Sequence, residues 1–455
     1  MPDRTGTDNT PVVNGAPVVN GAPVTYGAPV TDTPPPADDA WVASAYRRTM
    51  SSGRARLADV LGGQVEVESS GAWITTSRGQ RILNVGGYGV FITGARHPTV
   101  VREVERQLRT HPIGTRIFLD PAAARAADLL TSVTPPGLDR VHFSGSGTEA
   151  VEAAIKLARL NGRRRLVSMT GGYHGKTMGA LSVTARETFQ KPFRPLLPDV
   201  EHVPFGDVEA LTRTLSRHPG EACVIVEPVQ GEAGVVIPAP GYLRAVREAC
   251  TRYGALLVVD EVQSGLGRLG AWWGCDAEGV SPDILLSGKA LGGAVIPVAA
   301  TIATQETFSV LDRDPILHTS TFSAAPIAMA AVCGAILAIR EDGLVERAAA
   351  LGARLTPELE RIIATYLPHH PYEVRGAGLL IGIEFADPAM AADLFMALVT
   401  HDVIANLSLN SDHVVRLTPP ATMTDSDVAF LFERFERAAR SVAERNPEYE
   451  VPAHA

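Results

Sequence analysis

Lys289 is the residue whose surroundings point most directly to chemistry. It follows the apolar run 284–286 and lies among small residues, in the stretch Ser-Gly-Lys-Ala-Leu-Gly-Gly. The only other lysines are Lys156, Lys176 and Lys191, which lie in polar or turn-like segments. Burial disfavours a charged ammonium and can lower a lysine pKa by roughly 3–5 units. A neutral amine here could form a Schiff base with an aldehyde, so Lys289 is the candidate attachment point for a carbonyl compound.

Asp260 stands where another apolar run, 256–259, comes to an end. Ligands of open α/β sheets bind beyond the carboxyl ends of the strands. Aspartate is a poor strand residue and is costly to bury without a partner. The pattern therefore fits either a carboxylate that meets a ligand cation or a structural salt bridge to an arginine.

The segment Phe-Ser-Gly-Ser-Gly-Thr-Glu-Ala, residues 143–150, separates a predicted strand from a predicted helix. Glycines allow close backbone approach, and a helix N-terminus offers free N–H groups to a phosphate. Ser146 and Glu149 also fit a capping box, so a plain helix cap is the alternative. A dinucleotide site would need an acidic residue about 20 positions later. Residues 166–171 contain none, which weakens that interpretation.

A second glycine-flanked turn, residues 171–177, carries Tyr173 and ends in Gly-Lys-Thr. A phosphate loop of the ATPase type needs a glycine five positions before Gly175, and Thr170 stands there. The segment is therefore either a surface turn or the carrier of an aromatic ring that stacks on a flat ligand.

Taken together, these segments describe one ligand. It has a phosphate for the helix N-terminus, a flat ring for Tyr173, a ring cation for Asp260 and an aldehyde for Lys289. These properties predict pyridoxal 5′-phosphate (PLP) as the cofactor.

Short apolar runs alternate with helical patterns to position these residues. Candidate strands cover 140–143, 165–169, 222–226, 255–259, 283–286 and 298–302. Such runs are typical of strands buried on both faces, so we expect an α/β fold with a mainly parallel sheet flanked by helices. The pattern changes after about residue 327, which indicates a smaller α+β domain.

We expect four parts along the chain. They are a disordered Pro/Gly-rich tail (1–38), an N-terminal part of the small domain (39–95), a large cofactor-binding domain (96–330) and a C-terminal small domain (331–455). The tail repeats Pro-Val-Val-Asn-Gly-Ala, and its frequent Pro and Gly residues oppose regular structure.

Composition excludes several classes of function. There are 41 Lys and Arg residues against 50 Asp and Glu residues, a net charge of −9 that argues against nucleic-acid binding. No apolar run is long enough for a membrane helix, and the first residues lack a secretory pattern. The four cysteines are scattered, which indicates reduced cytoplasmic thiols without a disulfide framework or a metal site.

The order of these motifs resembles the class III (ω-amino acid) aminotransferases of PLP fold type I. The chain is most similar to the putrescine, ornithine and acetylornithine branch, from about residue 45 to 440. The matching stretches are Ser-Gly-Thr-Glu-Ala from 146, Tyr-His-Gly-Lys from 173, Glu-Pro-Val-Gln-Gly-Glu from 227, Asp-Glu-Val-Gln-Ser-Gly from 260, Lys-Ala-Leu-Gly-Gly from 289 and His-Thr-Ser-Thr-Phe from 318.

The resemblance implies roles for the cofactor-binding residues. Lys289 would hold the aldehyde and move the substrate proton, and Asp260 would keep the pyridine nitrogen protonated. The remaining cofactor contacts would be Ser146, Gly147, Thr148, Tyr173, Glu227, Gln263 and Thr321. Thr321 would reach the phosphate of a neighbouring subunit, which implies a homodimer with a shared active site.

The resemblance also implies a substrate side. Arg416 would bind a substrate carboxylate bidentately. Glu232 would pair with Arg416 when an ω-amine end occupies the site, and Tyr88 would contact the substrate. The substrates would be a small amine or amino acid and an oxo acid.

Two departures from the family pattern lie at the cofactor pocket. Gly145 replaces a usual Asn, and Ser-Ala-Ala-Pro at 323–326 replaces the usual Gly-Gly-Asn-Pro. Alanine does not readily adopt the positive φ that glycine allows. An aminotransferase is the leading hypothesis. The alternatives are β/γ-elimination, replacement or carbon–carbon bond formation on an amino acid such as S-adenosylmethionine, and a non-catalytic binding protein on the same scaffold.

Overall fold

The computed structural model describes residues 18–19, 22–23 and 38–445, so the predicted disordered tail lies almost wholly outside the described residues. Strands β1 (Val18–Val19) and β2 (Ala22–Pro23) form an antiparallel pair. The helices are α1 Asp39–Ala45, α2 Ser52–Val60, α3 Pro98–Thr110, α4 Pro121–Thr131, α5 Gly147–Leu160, α6 Met178–Val183, α7 Glu187–Gln190, α8 Val208–Ser216, α9 Tyr242–Tyr253, α10 Gln305–Arg313, α11 Pro326–Glu341, α12 Leu344–Tyr366, α13 Pro388–Thr400 and α14 Asp425–Arg445.

The central sheet contains seven strands and confirms the predicted mainly parallel α/β architecture. They are β6 Leu138–Ser144, β7 Arg165–Met169, β8 Val200–Val203, β9 Ala222–Val226, β10 Leu256–Asp260, β11 Ile284–Ser287 and β12 Ala299–Thr304. Their order is β6-β12-β11-β10-β9-β7-β8, and only β12 runs antiparallel to its neighbours. Every residue of β9 and β11 is buried, as expected for strands covered by helices on both faces.

Two smaller four-stranded sheets lie outside the central sheet, and one of them joins the two ends of the chain. One contains β3 Glu66–Ser70, β4 Trp73–Thr76, β5 Arg81–Asn84 and β15 Val403–Ile404. The other contains β13 Tyr372–Ala377, β14 Leu380–Phe385, β16 Asn406–Leu407 and β17 Val414–Leu417. Because β15 pairs with β5, N- and C-terminal segments build the small domain together, as expected. The exact domain limits stay predictions.

Two predicted helical stretches are each divided in the structure. The stretch 41–57 becomes α1 and α2, separated by a π-turn and by Ser51, which caps α2 through the Arg54 N–H. The stretch 98–129 becomes α3 and α4, because Pro112 and Gly114 lie in the irregular segment between them. The long helix α12 was not predicted.

Arg268 connects the small-domain segments to the central sheet domain through hydrogen bonds. It is buried, and its guanidinium donates to the carbonyl oxygens of Leu379 (3.2 Å), Pro419 (2.5 Å) and Gly89 (3.4 Å). Burial lowers the pKa of Arg268 to about 9. The segments that carry Tyr88 and Arg416 are therefore anchored beside the same buried cation.

No helix between residues 38 and 445 is long and apolar enough to cross a membrane. Over the same range, no group of His, Cys, Asp and Glu side chains could hold a metal ion. Cys223, Cys250, Cys275 and Cys333 are all buried and free of disulfide bonds.

Candidate active site

Asp260 and Lys289 lie close together because both follow the carboxyl ends of neighbouring parallel strands, β10 and β11. Asp260 is the last residue of β10 and pairs in register with Leu286 of β11. Lys289 follows β11 after Gly288 and opens a short 3-10 turn. Burial lowers the pKa of the Lys289 ammonium, although the charges of Glu232, Asp260 and Glu227 act in the opposite direction. Lys289 is therefore biased towards the neutral amine that a nucleophile needs.

Asp260 is held by a histidine for which the sequence suggested no role. His174 Nδ1 donates to Asp260 Oδ2 at 2.7 Å, and the Val262 N–H donates to Oδ1 at 3.1 Å. Burial alone would lower the pKa of His174, but the hydrogen bond and charge of Asp260, helped by Glu227, raise it overall. The structural salt bridge considered for Asp260 thus has a histidine, not an arginine, as its partner.

Glu227 and Tyr173 lie beside this pair. The Tyr173 backbone N–H donates to Glu227 Oε2 at 3.1 Å, so the carboxylate directly after β9 fixes the turn that carries the aromatic ring. Burial raises the pKa of Glu227 to about 7 from its ordinary 4.5, although the charge of His174 acts against this shift. The site therefore contains a carboxyl group that changes its protonation near neutral pH.

We expect the Glu227→Gln variant to lose a pH dependence of stability. Between about pH 4.5 and about pH 7, the folded wild-type protein keeps a proton that the unfolded chain has released. The stability of the wild type should therefore fall as the pH rises through this window, by up to about 3 kcal/mol. Denaturant unfolding of both cofactor-free proteins at the two ends of the window measures the difference. Equal pH dependence in the two proteins would contradict the assignment.

The N-terminus of α5 offers the expected phosphate cradle. Ser146 is the N-cap residue, but its hydroxyl donates to Glu149 Oε2 at 3.0 Å and makes no cap hydrogen bond, so the predicted capping box is wrong. The helix N–H groups are thereby left free for an anion. A Cβ built on Gly175 would lie 2.3 Å from Thr148 Oγ1, so the Tyr173 turn packs closely against this cradle.

Arg416 and Glu232 form a buried pair, and Gln263 connects this pair to the backbone of Tyr88. Arg416 Nη1 lies 2.7 Å from Glu232 Oε1, and both side chains are buried. Gln263 Nε2 donates to Glu232 Oε1 at 3.3 Å and to the Tyr88 carbonyl at 3.4 Å. Tyr88 itself is half exposed. The structure thus brings together all of the candidates from the substrate side.

Thr321 lies apart from these substrate-side residues within the subunit. It lies exposed on the loop between α10 and α11, next to Ser320, whose carbonyl accepts a hydrogen bond from Arg116. Two residues later, the Ser323 hydroxyl donates to the Phe143 carbonyl at 2.7 Å. The unusual serine therefore ties this loop to the strand that leads into the phosphate cradle.

The departure at 323–326 leaves a strained residue. Ala324 has φ of +54°, the left-handed conformation that favours glycine. That conformation costs a non-glycine residue roughly 1–2 kcal/mol, whereas a glycine adds roughly 0.4–1 kcal/mol of unfolded-state entropy. We expect Ala324→Gly to raise the free energy of unfolding by up to about 1 kcal/mol.

The matched control for this prediction is Ala325→Gly. Ala325 has φ of −57° and is the N-cap residue of α11, so glycine relieves no backbone strain there. The unfolded-state entropy that glycine adds, roughly 0.4–1 kcal/mol, is offset because glycine is a better N-cap than alanine, so stability should change little. Urea titration of the three proteins measures both effects. A free energy of unfolding for Ala324→Gly that is no higher than that for Ala325→Gly would contradict the strain.

The sequence did not indicate a role for three residues of the site. His174 directly follows Tyr173 in its turn, and that proximity was the available signal. Leu409 donates its N–H to Glu232 Oε2 at 3.0 Å, and Asn410 Nδ2 donates to the Gly171 carbonyl at 2.9 Å. Backbone and amide contacts of this kind leave no motif in a sequence.

The arrangement fits PLP. Within residues 38–445, the buried Gln263 Oε1 has no hydrogen-bond partner and is an acceptor available to a ligand hydroxyl. The α5 N-terminus fits a phosphate, the half-buried Tyr173 ring fits a planar heterocycle, and Asp260 fits a ring cation. Lys289 supplies the amine. A site of this composition can attach a carbonyl compound and move a proton beside it.

Comparison with known proteins agrees with this geometry. The family profile described as aminotransferase class-III matches residues 61–439. An ornithine aminotransferase from Toxoplasma gondii, whose structure has partial occupancy of PLP at its active site, shares 29% identity with a TM-score of 0.84 and covers 91% of this chain and 97% of that one. An (S)-enantioselective omega-transaminase from Thermomicrobium roseum shares 28% identity with a TM-score of 0.80, covering 89% and 98%. The ornithine delta-aminotransferase of Plasmodium falciparum shares 29% identity with a TM-score of 0.74, covering 84% and 94%.

Proposed function

Because this chain belongs to the class III aminotransferases, which makes it a PLP-dependent transferase, we propose that it moves an amino group from an ω-amine, diamine or amino acid to an oxo acid. The observation that carries this proposal is the convergence of Lys289 and Asp260 at the ends of adjacent strands. The lowered pKa of the lysine and the buried carboxylate are the two properties that PLP chemistry requires.

The residues at the sheet edge would hold the cofactor. The phosphate would lie at the N-terminus of α5, with Ser146, Gly147 and Thr148, and Tyr173 would stack on the ring. Asp260 would hold a proton at the ring nitrogen, and Gln263 Oε1 would accept a hydrogen bond from the ring hydroxyl. Bound PLP supplies an aldehyde that receives the amino group and a ring that withdraws electrons from the reacting carbon.

The chain's own groups would perform the proton transfers and the selection. Lys289 would attach to the cofactor and then, as a free amine, move a proton at the carbon that bears the amino group. Glu227 would fix the position of Tyr173 by accepting a hydrogen bond from the Tyr173 backbone N–H. Arg416, Glu232 and Tyr88 would orient the substrate, with the buried Arg416–Glu232 pair setting the charge of the site.

The test is a half-reaction with the cofactor-loaded protein. Given an amino donor and no acceptor, it should release one equivalent of oxo product per subunit and stop, and an oxo acid should restart it. Mass analysis of the products across diamines, ω-amino acids and sulfonium amino acids also tests the alternative chemistry. If the protein instead releases a leaving group continuously without an acceptor, it catalyses elimination or replacement and not transamination.

We further propose a homodimer with a shared site. Two neighbouring loops expose large apolar side chains: Ile117, Phe118 and Ile316 are each 81% exposed, and Phe322 is 66% exposed. Arg116 links these loops through its bond to the Ser320 carbonyl. Exposed apolar patches of this kind mark protein–protein contacts. A second copy that covers this face would meet Thr321, which supports its proposed role at the partner's phosphate.

Sedimentation tests the dimer. The wild type should sediment as a dimer, whereas Phe118→Asp should shift it towards monomer and weaken the retention of cofactor. Val60→Asp, at an exposed apolar residue of α2 outside these loops, is the control. A monomeric wild type that retains the cofactor would refute the shared site.

We also propose a cytoplasmic location. The four buried cysteines without disulfide bonds support a reducing compartment, because oxidising compartments favour cysteine pairing. Fractionation of the native host, with antibody detection of the protein, tests this proposal. Recovery of the protein in a secreted fraction would contradict it.

A further inference from the structure

Glu152 of α5 holds the beginning of α6 in place. Its Oε1 accepts hydrogen bonds from the Thr177 hydroxyl at 2.6 Å and from the N–H groups of Gly179 and Ala180 at 2.9 Å and 3.1 Å. The first N–H groups of a helix have no acceptor within the helix itself. Thr177 is the N-cap residue of α6, but its side chain makes no cap hydrogen bond, so Glu152 satisfies this helix end from another helix.

Thr148, one turn earlier on α5, extends this contact to the phosphate cradle. Its Oγ1 lies 2.8 Å from the Thr177 Oγ1 and accepts a hydrogen bond from the Thr177 N–H at 3.3 Å. A carboxylate can only accept, and a hydroxyl carries one proton. Because Thr177 gives its proton to Glu152, Thr148 must be the donor to Thr177. The three side chains therefore form one directed chain of hydrogen bonds that ends at Glu152.

Two glycines allow these segments to lie so close together. A Cβ on Gly175 would collide with the Thr148 side chain, and a Cβ on Gly179 would collide with the Glu152 carboxylate. Gly175 also has φ of +121°, a conformation that would strain any other residue. Close packing therefore fixes the position of the Tyr173 turn relative to α5, in addition to the hydrogen bonds.

The two segments that Glu152 joins would bind opposite ends of the cofactor. The N-terminus of α5 is the proposed phosphate site, and Tyr173 is the proposed partner of the ring. Glu227 holds the same turn at Tyr173, by accepting from its N–H at 3.1 Å, so the two glutamates fix the turn at separate points. A ligand with two parts binds more tightly when the groups that bind those parts are aligned in advance.

We propose that Glu152 is a positioning residue that aligns the Tyr173 turn with the N-terminus of α5, so that the phosphate and the ring of PLP bind together. This proposal rests on the proposed placement of the cofactor and deepens the proposed function, because it names a residue on which cofactor retention depends. Removing the hydrogen bonds of Glu152 should weaken the binding of the whole cofactor far more than the binding of either part.

The test measures PLP affinity by absorption titration of the full-length, cofactor-free protein. Glu152→Met has a similar length but no acceptor, and its dissociation constant for PLP should be at least about tenfold higher than that of the wild type. Glu152→Gln keeps an oxygen acceptor and should stay within about threefold of the wild type. Asp207→Ala is the control. It removes the cap that Asp207 provides to α8 through the Ala210 N–H at 2.8 Å, so it should lose stability and keep the wild-type affinity.

The separate parts of the cofactor give a readout that a loss of stability alone would not change. Inorganic phosphate, followed by calorimetry, probes the N-terminus of α5, and pyridoxal, followed by absorption, probes the ring site and Lys289. Each dissociation constant should change less than about twofold in Glu152→Met, so the two changes multiplied together stay below the loss for PLP. If Glu152→Met does not fold, Thr177→Val, which interrupts the same chain of hydrogen bonds, carries the same comparison.

Three results would overturn the role of Glu152. They are a PLP dissociation constant in Glu152→Met within about threefold of the wild type, an equal loss in Glu152→Gln, and a loss that phosphate or pyridoxal alone shows as strongly as PLP. Absence of transamination with every donor would overturn the proposed function instead, and the titrations would still decide on Glu152.

Discussion

Replacing Lys289 by Ala should lower kcat by roughly 10²–10⁴-fold or more, because the variant lacks both the amine that attaches the cofactor and the base that moves the substrate proton. The lowered pKa of Lys289 and its position after β11 are the structural reasons for this expectation. Steady-state kinetics on the cofactor-saturated variant measure the loss. Borohydride reduction followed by peptide mass analysis should place the cofactor on residue 289 in the wild type and on no residue in the variant.

Lys191→Ala is the matched control. Lys191 is exposed in a short 3-10 turn, and its removal should leave both kcat and the labelled peptide unchanged. Full activity in Lys289→Ala, or labelling of another lysine, would contradict the proposed role of Lys289 and with it the proposed function.

The second large effect is expected at Asp260. Asp260→Asn keeps the shape of the side chain but removes its charge, so the ring nitrogen of the cofactor would lose its counterion. We expect kcat to fall roughly 10²–10³-fold, with weaker retention of the cofactor. The pKa of His174 should also fall, because burial would no longer be offset by the carboxylate. Kinetics and NMR titration of the histidine measure the two effects.

Asp283→Asn separates this effect from the general loss of a partly buried, hydrogen-bonded carboxylate. Asp283 directly precedes β11, at the amino ends of the parallel strands. There it accepts hydrogen bonds from Arg247 Nη1 at 2.9 Å and from the Leu257 N–H at 2.7 Å. The control should lose stability and keep kcat. A kcat in Asp260→Asn within a fewfold of that in Asp283→Asn would refute the proposed role.

The central sheet was largely predictable because its strands are apolar and short. The predicted run 222–226 coincides with β9, and 255–259 differs from β10 by one residue at each end. The sequence did not predict β8, whose residues Val-Glu-His-Val mix polar and apolar types at the edge of the sheet. Full burial gives a strand a continuous apolar run, whereas the partly exposed β8 lacks one.

Lys289, Asp260 and the N-terminus of α5 could be proposed as parts of the site from the sequence alone, because each depends on residue types next to the end of a strand. Only the tertiary structure decided their partners. His174 is 86 residues from Asp260, and Leu409 is 177 residues from Glu232. Contacts between segments so far apart depend on how sheets and loops pack, and neither periodicity nor a local motif encodes that packing.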